Sequence, residues 1–207
     1  MKKLVAAMLC LALSLMCAVG LANEKIDPSE LQIGVIMIGD TSDMGFNYSH
    51  LVGLQEMQKN LGIEDHQITI LENVADDSTC ADAISELISN GCNVIIGNSF
   101  GFQTYMYEAA AQHPEVLFCH YSGLLQNDTN FCRFNARNYQ TRYLQGIAAA
   151  MRSESGKIGF VGAFKNAEVN VSLNAYALGA QSVNPDVTVY VKYTNSWYDA
   201  AGETAAA

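Results

Sequence analysis

Basic residues are scarce in this chain. Eleven lysines and arginines stand against 21 aspartates and glutamates, a formal net charge of −10. No Lys/Arg cluster interrupts that excess, so nucleic acid and anionic membrane surfaces are repelled and no nucleic-acid partner is expected. Phosphate-binding glycine loops are lacking as well, because Gly34, Gly39 and Gly45 do not have the spacing such loops require. His50, His66, His113 and His120 form no recognisable nucleophile motif with a serine or cysteine, and the cysteines show no metal-ligand spacing. An enzyme is therefore not expected, and neither is a cofactor or a metal. Long apolar runs are confined to the amino terminus, and no later segment is apolar enough to span a membrane.

That one run is informative. Lys2 and Lys3 precede an uncharged stretch from Leu4 to Leu21, and small residues at Gly20-Leu21-Ala22 come just before the polar Asn23. The order of charged, apolar and cleavable regions predicts a secretory signal peptide over 1–22, hence export to the periplasm or the extracellular face of the cell membrane. An uncleaved anchor is the alternative for a run of this length. Lipidation of Cys17 is a further one, although Met16 stands where a small residue should immediately precede a lipid-modified cysteine.

Cleavage would remove two of the six cysteines and leave Cys80, Cys92, Cys119 and Cys132 in an oxidising compartment. Cys80 and Cys92 flank one expected helix, too far apart for a bridge. Cys119 and Cys132 fall on successive expected strands, where a bridge is sterically conceivable. Burial as small apolar residues is the preferred reading for all four.

The rest of the chain alternates between two periodicities. LQIGVIMI, from Leu31 to Ile38, is the nearly continuous apolar run of a strand covered on both faces. Leu51, Leu54, Met57 and Leu61 recur at helical spacing until Gly62. The unit repeats with strands at 67–71, 93–96 and 116–119 and with helices from Ser78 and after Gly101. This predicts an α/β, doubly wound parallel lobe over 23–130. A crossover segment and helix follow over 131–155. A second α/β lobe begins at 156, with strands at 157–162 and 187–192 around a helix ended by Pro185. Two strands leave a sheet edge uncovered, so the chain is expected to be the truncated first part of a longer protein, and 23–207 alone is not expected to be a competent receptor.

In such folds ligands bind beyond the carboxyl ends of the strands. The loops there carry Phe46, Phe100, Phe102, Tyr121, Phe164 and Trp197 as flat faces, with Asn47, Ser99 and Asn195 as hydrogen-bonding groups. That pairing suits a flat heteroaromatic ligand. Packing between helices and sheet is the competing role for Phe100, Phe102 and Phe164, and helix capping is the competing role for Asp43 and Asn47. Trp197 is the only tryptophan and lies in a polar loop, where a core residue is less expected.

GDTSDMGFNYSHLVG from Gly39 to Gly53, NSFGF from Asn98 to Phe102, NYQTRYLQGIAAAM from Asn138 to Met151, and GKIGFVGAF followed by LNAYALGAQSVNPDV and NSWYD occur in order along the chain. Together they resemble the basic membrane protein family of ABC-transporter substrate-binding proteins, a group related to purine nucleoside receptors. The resemblance implies a two-lobed, type I periplasmic-binding fold. It further implies that Phe46 stacks on a base, that Asn47 bonds it, and that Trp197, ahead of Asp199, stacks from the other lobe. Ser99, Phe100, Thr104 and Phe164 complete the expected ligand-binding set. Thr104 departs from the family pattern, which has an aspartate there, and so puts a carboxylate contact to the ligand in question.

The function these readings imply is capture of a small aromatic solute, a purine base or nucleoside, for an ABC importer, with a membrane permease as partner. A ligand-sensing receptor domain coupled to a membrane signalling protein is the alternative. A sugar-responsive transcription regulator would share the fold, but the expected signal peptide stands where its DNA-binding helices should be.

Overall fold

The computed structural model describes residues 26–207. The signal peptide expected at 1–22 and Cys17 lie outside the described residues. β1 (Ile33–Ile36) is buried throughout, as its unbroken apolar run requires, and its side chains alternate between two cores. Ile33, Val35 and Met37 cluster with Leu54 of α1 (Phe46–Leu61). Ile36 clusters with Ile84 and Leu87 of α2 (Thr79–Ser89) and with Met106 of α3 (Gln103–Gln112). Helices therefore cover both faces of the sheet.

The sheet runs in the order β2-β1-β3-β4-β5, comprising β2 (Ile68–Leu71), β3 (Val94–Gly97), β4 (Leu117–Tyr121) and β5 (Phe131–Phe134) beside β1. All neighbours are parallel. This is the expected α/β doubly wound lobe, and it includes one strand beyond its expected limit at residue 130. β5 pairs with β4 through Phe118↔Phe131 to Tyr121↔Phe134, and Phe131 is buried in the first core. The chain leaves this sheet only at 135–137.

The helix that follows, α4 (Asn138–Arg152), packs on α5 (Ala167–Val183). The 131–155 segment thus divides, with β5 in the first unit and α4 in the second. Gly146 of α4 and Gly179 of α5 meet at the helix crossing: a Cβ on Gly146 would overlap the Tyr176 carbonyl oxygen, and one on Gly179 would overlap that of Tyr143. β6 (Lys157–Gly162) and β7 (Thr188–Tyr193) form a separate two-stranded parallel sheet. Ala150, Ile158, Tyr176, Ala180 and Val187 make its core. β7 is exposed over much of its length, Tyr190 to 57%, so the expected open edge is present. Among the described residues no helix is long and apolar enough to cross a membrane.

Helix ends follow local chemistry. Gly62 ends α1 in the left-handed region at φ 68°, its N–H donating to the Gln58 carbonyl. At α2 the expected cap Ser78 makes no side-chain cap bond. Asp77 does the work instead, its Oδ1 accepting from the Thr79 amide at 2.9 Å and the Thr79 hydroxyl at 2.7 Å. The short α6 (Ala200–Ala206) is capped by Asp199, which accepts from the Gly202 amide at 2.9 Å.

Candidate functional site

The loops after the strands converge at one end of the first sheet, and a buried asparagine pair ties two of them together. Asn98, after β3, accepts from the Ile38 amide at 3.0 Å and donates through Nδ2 to Asn47 Oδ1 at 2.8 Å. Asn47 Oδ1 also accepts from the Gly39 amide at 3.4 Å, and its Nδ2 donates to Asp43 Oδ2 at 3.0 Å. Asp43 gathers the start of α1, accepting from the amides of Gly45, Asn47 and Tyr48 at 2.8 to 3.0 Å. Burial opposes ionisation of Asp43, but those amides outweigh it and hold its carboxyl below the ordinary aspartate range. Asn47 is thus a buried junction of loops, with one Nδ2 hydrogen uncommitted to these contacts.

Phe46 stands beside it, 42% exposed, in an edge-to-face aromatic group. Its ring lies 4.7 Å from His50 and 5.6 Å from Tyr121. Tyr121 lies 4.7 Å from His50 and 5.6 Å from Phe134. The Tyr121 hydroxyl accepts from Asn138 Nδ2 at 2.9 Å, linking this group to the first residue of α4. Burial lowers the His50 pKa, against the opposing pull of the Asp43 charge, and favours the neutral ring.

Two further hydrogen bonds join the units directly. Trp197, in the loop after β7, donates from Nε1 to Asp76 Oδ2 at 3.0 Å, and Asp76 lies in the loop after β2. Ser122, after β4, donates from Oγ to Glu168 Oε2 at 3.1 Å, and Glu168 lies in the first turn of α5. Phe164 packs edge-on against Trp197 with ring centres 5.0 Å apart. The Asp76 carboxylate rests on Gly101, where a Cβ would overlap it. Burial raises the Glu168 pKa, the Ser122 hydrogen bond works against that, and the charge of Asp76 adds to it. The Glu168 carboxyl therefore senses the Asp76 charge from the opposite unit.

The remaining expected residues are less central. Ser99 is buried, and its carbonyl accepts from His120 Nε2 at 2.7 Å, which makes Nε2 the protonated nitrogen of a buried ring whose Nδ1 has no partner. Desolvation lowers the His120 pKa and favours the neutral ring. Phe100 is half-buried in a single 3₁₀ turn, and Thr104 is exposed at the start of α3. Phe102 is fully buried among Met106, Ile36 and Phe118, so it is a core residue. Phe46 and Trp197 belong to separate aromatic groups, one on each unit, and no ring contact joins them among the described residues. Sequence reading did not single out Asp76, Glu168, His50 or Phe134. Asp76 carried a signal, since it lies in the loop after β2, at the strand end where ligands bind in such folds.

Comparison with known proteins bears on the family and the fold. A family model described as ABC transporter substrate-binding protein PnrA-like matches residues 30–207. A purine-binding protein of Brucella abortus is 38% identical over 186 residues, which cover 90% of this chain and 51% of the relative. A protein of Haloferax volcanii with the provisional name of an ABC transporter glucose-binding protein is 35% identical over 79% of this chain and 41% of its own. The chain thus spans about half the length of the curated relatives it matches. An ABC-transporter solute-binding protein from Aeropyrum pernix superposes with a TM-score of 0.68 at 19% identity, over 79% of this chain and 47% of that one. That likeness shows the fold, the α/β architecture of type I periplasmic-binding proteins.

Proposed function

Because the chain belongs to the PnrA-like family of ABC transporter substrate-binding proteins, we propose that it captures a purine base or nucleoside between its two α/β units and presents it to a membrane permease. The observation that carries this reading is the Trp197 to Asp76 hydrogen bond. It brings the only tryptophan of the chain and a carboxylate together from opposite units at the strand ends, with Phe164 beside the indole.

A flat heterocycle uses both kinds of group. Its ring stacks on Trp197 and Phe46, and its N–H groups need acceptors. Asp76 supplies the carboxylate for which Thr104 is no substitute, since it sits over Gly101, three residues before Thr104 in sequence. Ligand and indole compete for the same oxygen, so binding replaces a bond between the units with bonds to the ligand, and the units close around it. Asn47 holds the loops that carry Phe46 and offers its remaining N–H. The provisional glucose-binding name of the Haloferax relative favours a second reading, a sugar ligand. Its ring would also stack on Trp197, but it offers hydroxyls and no aromatic face.

Trp197 reports on itself as the only tryptophan. Its emission should change saturably on titration with adenine or guanosine. Asp76→Ala should weaken that binding by about tenfold, the loss of roughly 1.4 kcal/mol, which is the lower end for a hydrogen bond to a charged group. Wild-type protein with no response to either probe, by emission or by calorimetry, would count against purine capture. Unchanged affinity in Asp76→Ala would remove Asp76 from the site and leave the purine reading standing.

A further inference from the structure

Two cysteines that sequence left ambiguous come together on neighbouring strands. Cys119 of β4 and Cys132 of β5 are direct register partners in the parallel ladder, and their Sγ atoms lie 3.4 Å apart. In-register partners on adjacent strands stand about 4.7–4.9 Å apart with side chains on one face, within the separation a disulfide spans. Both thiols are free in this structure. We propose that Cys119 and Cys132 are a disulfide site that staples the edge strand of the first sheet once the protein has been exported.

Among the four cysteines of the described residues, the surroundings favour this pair. Cys80 and Cys92 are buried in the first core, and burial pushes the Cys80 thiol up to about 12. Cys132 is exposed and Cys119 half-buried, so an oxidant reaches Cys132 first. The Cys119 thiol is likewise pushed up to about 12, by burial and then by the adjacent Cys132 sulfur. Its part is to close the bond within the protein.

The chemistry is thiol–disulfide exchange with the disulfide of an oxidoreductase or of oxidised glutathione. The Cys132 thiolate attacks one sulfur of that disulfide, forming a mixed disulfide and expelling the first thiolate. The Cys119 thiolate then attacks Cys132 Sγ and expels the second. Both cysteine protons pass to the departing thiolates, so the oxidant is reduced to two thiols as the protein gains its bond.

The staple would act at a particular place. Among the described residues β5 is paired on one side only, by β4, and it is the last strand before the chain passes through 135–137 into α4. A bond at Cys132 fixes the end of the first unit from which the second departs. The Phe134 ring, two residues on, contacts Tyr121 in the aromatic group beside Phe46.

The test equilibrates the whole protein in buffers of reduced and oxidised glutathione, quenches with an alkylating reagent, denatures it, and maps the peptides by mass. At oxidising ratios the peptides containing Cys119 and Cys132 should be linked, lighter by two hydrogens than the separate pair, while Cys80 and Cys92 remain alkylated once the protein is unfolded. Oxidation should raise the unfolding temperature of the wild type and leave that of a Cys119→Ala, Cys132→Ala double variant unchanged. Both thiols remaining alkylated at the most oxidising ratio, or linkage through Cys80 or Cys92 instead, overturns the proposal. Export is read separately, from the amino-terminal mass of secreted protein.

Discussion

Replacing one glycine by alanine should have opposite effects at two helical positions of this protein. Gly146 lies where α4 crosses α5. A Cβ there would stand 2.8 Å from the Tyr176 carbonyl carbon and 2.9 Å from the Ala180 nitrogen, and closer still to the Tyr176 oxygen. Heavy atoms in comfortable contact sit about 3.5–4.0 Å apart, so the helices would have to separate by roughly 1 Å or distort. Overpacking of this kind costs about 1–3 kcal/mol. Alanine in a helix returns about 0.8–1 kcal/mol over glycine. Gly146→Ala should therefore destabilise by up to about 2 kcal/mol net, the difference between those two ranges at their unfavourable ends. Gly179→Ala should behave alike, since its Cβ would stand 2.8 Å from the Tyr143 carbonyl carbon. The double variant should lose less than the sum, because one separation of the helices relieves both overlaps.

Gly53 in α1 is the control. Nothing lies within 4 Å of a Cβ there, so Gly53→Ala should stabilise by about 0.5–1 kcal/mol through propensity alone. Urea unfolding followed by far-ultraviolet circular dichroism measures both. A Gly146→Ala midpoint equal to or above wild type would refute the reasoning, as would a Gly53→Ala loss comparable to that at Gly146.

Trp197→Ala should weaken purine binding by about 1–3 kcal/mol, the worth of one stacked aromatic face, as read by titration calorimetry; equal affinity in mutant and wild type would make the indole structural. Glu168 supplies a pH signature. Its folded pKa is raised by burial and then by the Asp76 charge, so the stability it contributes is fully present below its ordinary value of 4.5 and is lost as pH rises through the higher folded value. Glu168→Gln should remove that part of the decline in the urea midpoint above pH 4.5, and an unchanged slope would show that the carboxyl does not titrate as described.

The architecture was legible because burial on two faces writes a distinctive pattern. The run ending at Ile38 could satisfy two cores only as a strand covered on both sides, and Gly62 stopped α1 where the apolar spacing ended. The limit of the first lobe was harder. The lobe was expected to end at residue 130, before the strand that carries Cys132, but Asn127 Oδ1 accepts from the amides of Thr129, Asn130 and Phe131, and Asn130 Nδ2 lies within bonding distance of the Ala110, His113 and Val116 carbonyls. These contacts return the chain to the sheet as β5. Side-chain hydrogen bonds over such separations leave no periodic trace.

The candidate site divides in the same way. Phe46, Phe164 and Trp197 stood out as aromatics in loops after strands, a position that topology alone makes suspect. Asn47 was read both as a ligand contact and as a capping residue, and its bonds to Asp43, Gly39 and Asn98 give it a structural duty in either case. Phe102 shared the NSFGF run with Phe100, yet the 3₁₀ turn at 100–102 directs it into the core. Asp76 was passed over because a carboxylate in an acidic, polar loop looks like any solvated charge until the partner arriving from residue 197 is known.

Titration calorimetry of the purified protein with adenine, guanosine and glucose tests the central claim most directly. Saturable heat with a purine probe, weakened in Trp197→Ala and absent with glucose, is the result predicted. Binding of glucose with no response to either purine probe would contradict it.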